Sequence, residues 1–107
     1  MADNCKEMLQ KQCESIAKDL ENLIDADYEE IMEYFESAYD VKYTINSDRS
    51  YYAVRIMVAG GGPNIFINTW KRRVEGYWWF DSADARFSRE ACEVIDDFFK
   101  ELYDSGC

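Results

Sequence analysis

The sequence predicts an α+β fold: an antiparallel three- to four-stranded sheet with an N-terminal helical pair and a C-terminal helix packed on one face. Three observations carry that expectation. Apolar residues recur at helical spacing between residues 9 and 39 and again between 91 and 102. They alternate singly in stretches between residues 41 and 80, and Ser-Asp and Gly-Pro turns separate those stretches. The length of 107 residues and a hydrophobic content of 48% make one domain, 1–107, with one core. The 3 Trp, 8 Tyr and 6 Phe supply enough bulk to exclude a disordered chain despite a net charge of -10.

Taken in order, Asp3 is positioned to cap a first helix, in which Leu9, Cys13, Ile16, Leu20 and Leu23 form an apolar stripe at spacings of three and four. The stripe is expected to pack on the chain's own sheet or next helix. A second helix, either separate from the first or continuous with it as one bent rod through Ile24-Asp25-Ala26, is expected from Asp25 to Asp40, where Asp27 and Glu30 stand in capping-box relation and Tyr28, Ile31, Met32, Phe35 and Tyr39 form its stripe. Strand one follows, with Val41, Tyr43 and Ile45 on one face, and Ser47-Asp48-Arg49-Ser50 as its turn. In strand two, Tyr52, Val54, Ile56 and Val58 are expected to face the core, with Tyr51, Ala53, Arg55 and Met57 opposite.

Gly60-Gly61-Gly62-Pro63-Asn64 reads as a hairpin loop, because neither glycine-rich phosphate-binding spacing is present. Strand three sets Ile65 and Ile67 against Phe66, Asn68 and Trp70, and Lys71-Arg72-Arg73 forms a basic turn. Strand four is placed at Tyr77-Trp78-Trp79-Phe80, so that Trp78 and Trp79 point to opposite sides. Asp81 to Asp84 reads as a turn. Ser88 then caps a last helix that buries Ala91, Ile95, Phe98 and Leu102, with Gly106 near its end.

Several function classes are disfavoured by what the chain carries. The four cysteines, Cys5, Cys13, Cys92 and Cys107, form no C-x-x-C pair, and without histidine a zinc site would have to be all-cysteine. The expectation is reduced thiols, with Cys107 free at the tail, and no metal or cofactor. Zero histidine also removes the commonest general base and the usual partner of a Ser or Cys nucleophile. Carboxylates crowded onto helix surfaces in so small a domain leave little room for the apolar pocket that tunes an acid catalyst, so no enzymatic activity is expected. There is no basic leader followed by an apolar segment, and no apolar run approaches the roughly 20 residues that span a bilayer. The expected location is cytoplasmic, in the bacterial host if the chain is phage-encoded.

Charge is the most informative feature. Residues 1–40 hold 12 acids and 3 bases, residues 41–87 hold 4 and 7, and residues 88–107 hold 6 and 2. Between Asp25 and Asp40 stand seven carboxylates, Asp25, Asp27, Glu29, Glu30, Glu33, Glu36 and Asp40, without one Lys or Arg. As one helix that segment would be about 22 Å long, with a charge every roughly 3.2 Å against about 3.4 Å between phosphates of one DNA strand. A face that merely solvates a helix usually mixes Glu with Lys. Same-sign neighbours three or four apart each cost about 0.2 to 0.5 kcal/mol, so the run is expected to serve as a partner-binding surface.

In its small size, strong acidity, lack of a cofactor motif and helix-sheet-helix order, the chain resembles the anti-CRISPR and anti-restriction proteins of phages and mobile elements. The resemblance spans the whole chain but rests on no sequence motif. It implies an inhibitor that binds a nucleic-acid-processing enzyme, such as an RNA-guided nuclease, by mimicking DNA phosphates and occluding its nucleic-acid groove. The basic Lys71-Arg72-Arg73 turn departs from a uniformly acidic mimic. An immunity protein against a nuclease toxin would need the same acidic surface. A nucleic-acid or peptide binder would instead use Arg55, Met57, Asn68, Trp70, Tyr77 and Trp79 on an open sheet face, but a chain of charge -10 repels phosphates at range. The partner expected is therefore a protein, with no direct nucleic-acid or membrane contact, and the chain a monomer or homodimer.

Overall fold

In the computed structural model, which describes residues 2–106 and the side chains of residues 5–106, three α-helices and a 3-10 turn are split by an antiparallel meander. The order is α1 (Ala2–Asn22), a 3-10 turn (Leu23–Asp25), α2 (Tyr28–Phe35), β1 (Asp40–Ile45), β2 (Tyr51–Ala59), β3 (Asn64–Asn68), β4 (Arg73–Trp78), β5 (Asp81–Arg86) and α3 (Arg89–Asp104). The strands pair in sequence order, β1-β2-β3-β4-β5. Helix α1 begins before Asp3, so Asp3 does not stand ahead of the helix as its cap; its side chain, like Cys107, lies outside the described residues.

The sheet has five strands where three to four were expected, and the difference lies at its C-terminal edge. Asp81 to Asp84, read from sequence as a turn, belong to β5 (Asp81–Arg86), and β4 starts at Arg73 rather than at Tyr77. In β5, Ala83 and Ala85 face the core while Ser82, Asp84 and Arg86 are exposed, an alternation with alanine in place of bulky β-formers. Small residues are needed there because α1 lies against them. An added Cβ at Gly76, paired with Ala83, would sit 2.7 Å from both Cys13 Sγ and Leu9 Cδ1 of α1.

The core lies between one sheet face and the helices. Val41, Ile56, Ile67, Val74 and Ala85 form one cross-strand row on that face. Against it pack Leu9, Cys13, Ala17 and Leu20 of α1, and Ala91, Ile95, Phe98 and Phe99 of α3. The rings of Phe35, Phe98 and Phe99 close the α2–α3 end, with Phe35 centred 5.0 Å from Phe99. The predicted cap at Ser88 accepts from the Ala91 N–H, and the Asp27–Glu30 capping box makes both of its bonds.

Strand two carries a register shift at each end, one between Met57 and Ala59, where Ala59 pairs with Ile65, and one against β1 that changes the expected facing. The register shifts between Thr44 and Ile45, so that Ala53 faces Thr44 and Tyr51 faces Ile45, with Tyr52 left unpaired. The bulge puts Tyr51 on the helix side, where its hydroxyl donates to Asp96 of α3, and leaves Tyr52 exposed. Among the described residues no helix is long and apolar enough to cross a membrane, no buried side-chain polar atom lacks a partner, and no cluster of His, Cys, Asp or Glu is arranged to hold a metal.

Candidate protein-binding surface

The acidic segment is not one rod. Helix α2 has eight residues, about 12 Å of axis, and the expected 22 Å helix from Asp25 to Asp40 is divided among the 3-10 turn, α2 with its two caps, and β1. Asp25 ends the 3-10 turn, Asp27 is the N-cap, Glu29, Glu30 and Glu33 lie in α2, Glu36 is its C-cap, and Asp40 opens β1. The break follows from Ala26, which takes extended backbone to let Asp27 cap a fresh helix. The comparison with phosphate spacing along a strand therefore has no linear counterpart in the fold.

What the fold keeps is exposure. All seven carboxylate residues are exposed. Glu29, Glu33 and Glu36 follow one stripe of α2, since Glu36 retains right-handed helical backbone at the cap. Two of the seven have local work: Asp27 accepts from the Glu30 N–H at 2.9 Å, and Glu30 accepts from the Asp27 N–H at 3.3 Å. Asp40 stands 3.9 Å from Lys42 on the same strand. Among the described residues, none of the five ion pairs engages a carboxylate of α1 or α2; they fall in the sheet and in α3.

Asp19 of α1 belongs to the same surface and was not singled out from sequence. It lines a groove between α1 and α2 together with Glu30, Glu33 and Tyr34, floored by Leu23 and Ala26. The Tyr34 hydroxyl donates to Asp19 Oδ2 at 3.4 Å, and burial, then the Asp19 charge, pushes the phenol well above its ordinary range. Three carboxylates thus rim one groove whose lining holds no cation. Chemically it is fitted to a guanidinium or ammonium group. Fifteen residues separate Asp19 from Tyr34, across a turn whose geometry sequence spacing does not give.

The thiols are poorly suited to nucleophilic work. Burial first, then Asp84 and Glu14, raises Cys13 to about 11, and burial first, then Asp96, raises Cys92 to about 12. Both are thus overwhelmingly protonated at neutral pH.

The opposite face of the sheet is open. Arg55, Met57, Asn68 and Tyr77 share it, as expected, and Phe66 joins them with the Arg55 guanidinium 3.7 Å over its ring. Trp70 is exposed in the β3–β4 connection. Trp79 is not in a strand: with Phe80 it forms the two-residue β4–β5 loop, at a φ of 56°. Trp79 is 82% exposed and Trp78 is packed against the core, so the expected contrast between them holds for a different reason. Compared with known families, curated proteins and solved structures, the chain matches none.

Proposed function

We propose that this protein is an inhibitor that binds a nucleic-acid-processing enzyme of the kind anti-CRISPR proteins block, using its acidic helical surface to fill a groove built for phosphates. The observation that carries the reading is the carboxylate surface formed by Asp19 with Asp25, Asp27, Glu29, Glu30, Glu33 and Glu36. Among the described residues it has no cation within 4.0 Å, while the chain's ion pairs lie elsewhere. A basic groove supplies what this surface lacks. Arginine matches it best, because a planar guanidinium can bridge two carboxylates at once.

The mimicry is of a charged surface rather than of a strand. Carboxylates displayed from two helices around one groove offer several approach directions for Lys and Arg, and Asp40, at the sheet edge, extends the surface only weakly because Lys42 partly neutralises it. Long-range attraction acts mainly on association rate, so binding should be fast and salt-sensitive. An immunity protein against a basic nuclease toxin would recognise the same groove chemistry.

The test is capture of partners from bacterial lysate at low and moderate salt, followed by competition on the purified partner. Under this reading a nucleic-acid enzyme is recovered, and its duplex or guide-bound substrate displaces the protein. An enzyme that binds substrate and this protein together, without mutual competition, contradicts it.

A further inference from the structure

The open sheet face carries two adjacent cross-strand rows of contrasting chemistry. One row reads Lys42, Arg55, Asn68, Arg73, Arg86 from β1 to β5. The other reads Asp40, Met57, Phe66, Glu75, Asp84, two residues along each strand, with the buried Val41–Ala85 row between them pointing the other way. The first row is four cations around an amide. The second is three carboxylates around two apolar side chains.

We infer that this face is the interface of a homodimer, covered by a second copy related by a two-fold axis running along the rows. Such an axis reverses strand direction and lays each row over the other row of the second copy, strand for strand. Lys42 then meets Asp40 and Arg86 meets Asp84 of the second copy, and symmetry makes each pair twice, while Arg73 lies over Glu75, which is buried and already held by Arg55, Lys71 and Asn68 of its own chain. Asn68 and Arg55 lie over Phe66 and Met57. No like charges are opposed, and an isologous contact of this kind closes at two copies.

Two further observations favour a second copy over bulk solvent. Arg73 and Arg86 are directly paired across β4 and β5, a like-charge juxtaposition that costs stability, and Arg86 has no carboxylate within 4.0 Å among the described residues. The pairs the face makes within one chain are long, Arg73–Asp84 at 3.5 Å, Arg55–Glu75 at 3.6 Å and Lys71–Glu75 at 4.0 Å. Arg73–Asp84 joins two half-exposed side chains and can be exchanged for an intermolecular pair at little cost, whereas the buried Glu75 also accepts from Asn68 and stays with the partners of its own chain. Five strands about 4.8 Å apart and about 20 Å long present roughly 500 Å² per copy, about 1,000 Å² in all. That reaches the lower bound of about 1,000 Å² for a specific interface. Aligned sheet packing accommodates the twist of both sheets.

This inference does not rest on the proposed inhibitor function, since the helical carboxylates lie on the other side and remain exposed in the dimer; Asp40 alone belongs to both surfaces. The experiment is sedimentation equilibrium of the full chain at low and moderate salt, with urea unfolding as the folding control. The parent should dimerise within that range, most tightly where salt screens the charge of -10 that each copy carries. Arg86→Asp and Asp84→Arg should each weaken the dimer at least tenfold, and the double variant should recover it. A mixture of the two single variants should form a heterodimer more readily than either forms a homodimer. In that mixture the end of β5 is doubly acidic in one chain and doubly basic in the other, so unlike charges meet. A parent that stays monomeric at both salt concentrations overturns the inference, as does a mixture that shows no preference. A monomer that binds single-stranded oligonucleotide, and loses it with Arg86→Asp, assigns the face to nucleic acid instead.

Discussion

Trp79 sits at the first of two loop positions with a φ of 56°, a conformation that glycine adopts freely and a bulky residue does not. Strain there is about 1 to 3 kcal/mol, against about 0.5 to 1 kcal/mol of extra chain entropy that a glycine would lose. Trp79→Gly should therefore stabilise the fold by roughly 1 kcal/mol, and an unchanged or lower urea midpoint would show that the exposed ring has packing value after all. Gly76 is the opposite case: its site has no room for a Cβ beside Leu9 and Cys13. Gly76→Ala should cost about 1 to 3 kcal/mol by pushing α1 off β4, and a neutral result would mean that the helix contact is looser than described. The raised thiols of Cys13 and Cys92 and the raised phenols of Tyr34 and Tyr51 all titrate later in the fold than in the unfolded chain. Their contribution is fully present below about pH 9 and is lost as pH climbs toward the folded values, because the unfolded chain releases those protons first. Urea midpoints measured from about pH 7 to about pH 11 should fall above about pH 9; a flat profile would refute the burial assigned to these groups.

At the scale of elements, the Asp27–Glu30 box is what starts α2 after the extended Ala26. Asp27→Ala should cost about 1 kcal/mol, read as a lower melting temperature with loss of helical signal, whereas an unchanged melt would show that tertiary packing alone holds α2. That box was legible because capping depends on residue types three apart. So were α3, with its Ser88 cap and apolar stripe, and the alternation that puts Ile65 and Ile67 in the core. β5 was not legible, because Ala83 and Ala85 have little intrinsic strand preference and earn their place only by fitting under α1. The bulge that turns Tyr51 inward was equally hidden, since register depends on the partner strand. Of the acidic surface, the carboxylates themselves could be read directly, but their split into turn, cap, helix and strand could not, and Asp19 joined them only through the fold.

Across the whole molecule, a net charge of -10 averages two unlike sides. The sheet face holds Lys42, Arg55, Arg73 and Arg86 among partly paired carboxylates, while among the described residues no cation pairs with the carboxylates of α1 and α2. This separation is the basis for proposing a basic groove as the partner of the helical side and a second copy as the partner of the sheet side. The most direct measurement of the central assignment compares the parent with a Glu29→Gln, Glu33→Gln, Glu36→Gln variant, which keeps side-chain shape and helix propensity while removing three charges. Folding stability should be unchanged or slightly higher, because same-sign neighbours are removed. Binding to the captured enzyme at low salt should weaken, chiefly through slower association, and the variant should show a shallower salt dependence than the parent. A variant that binds as tightly and as fast as the parent at low salt would contradict the account.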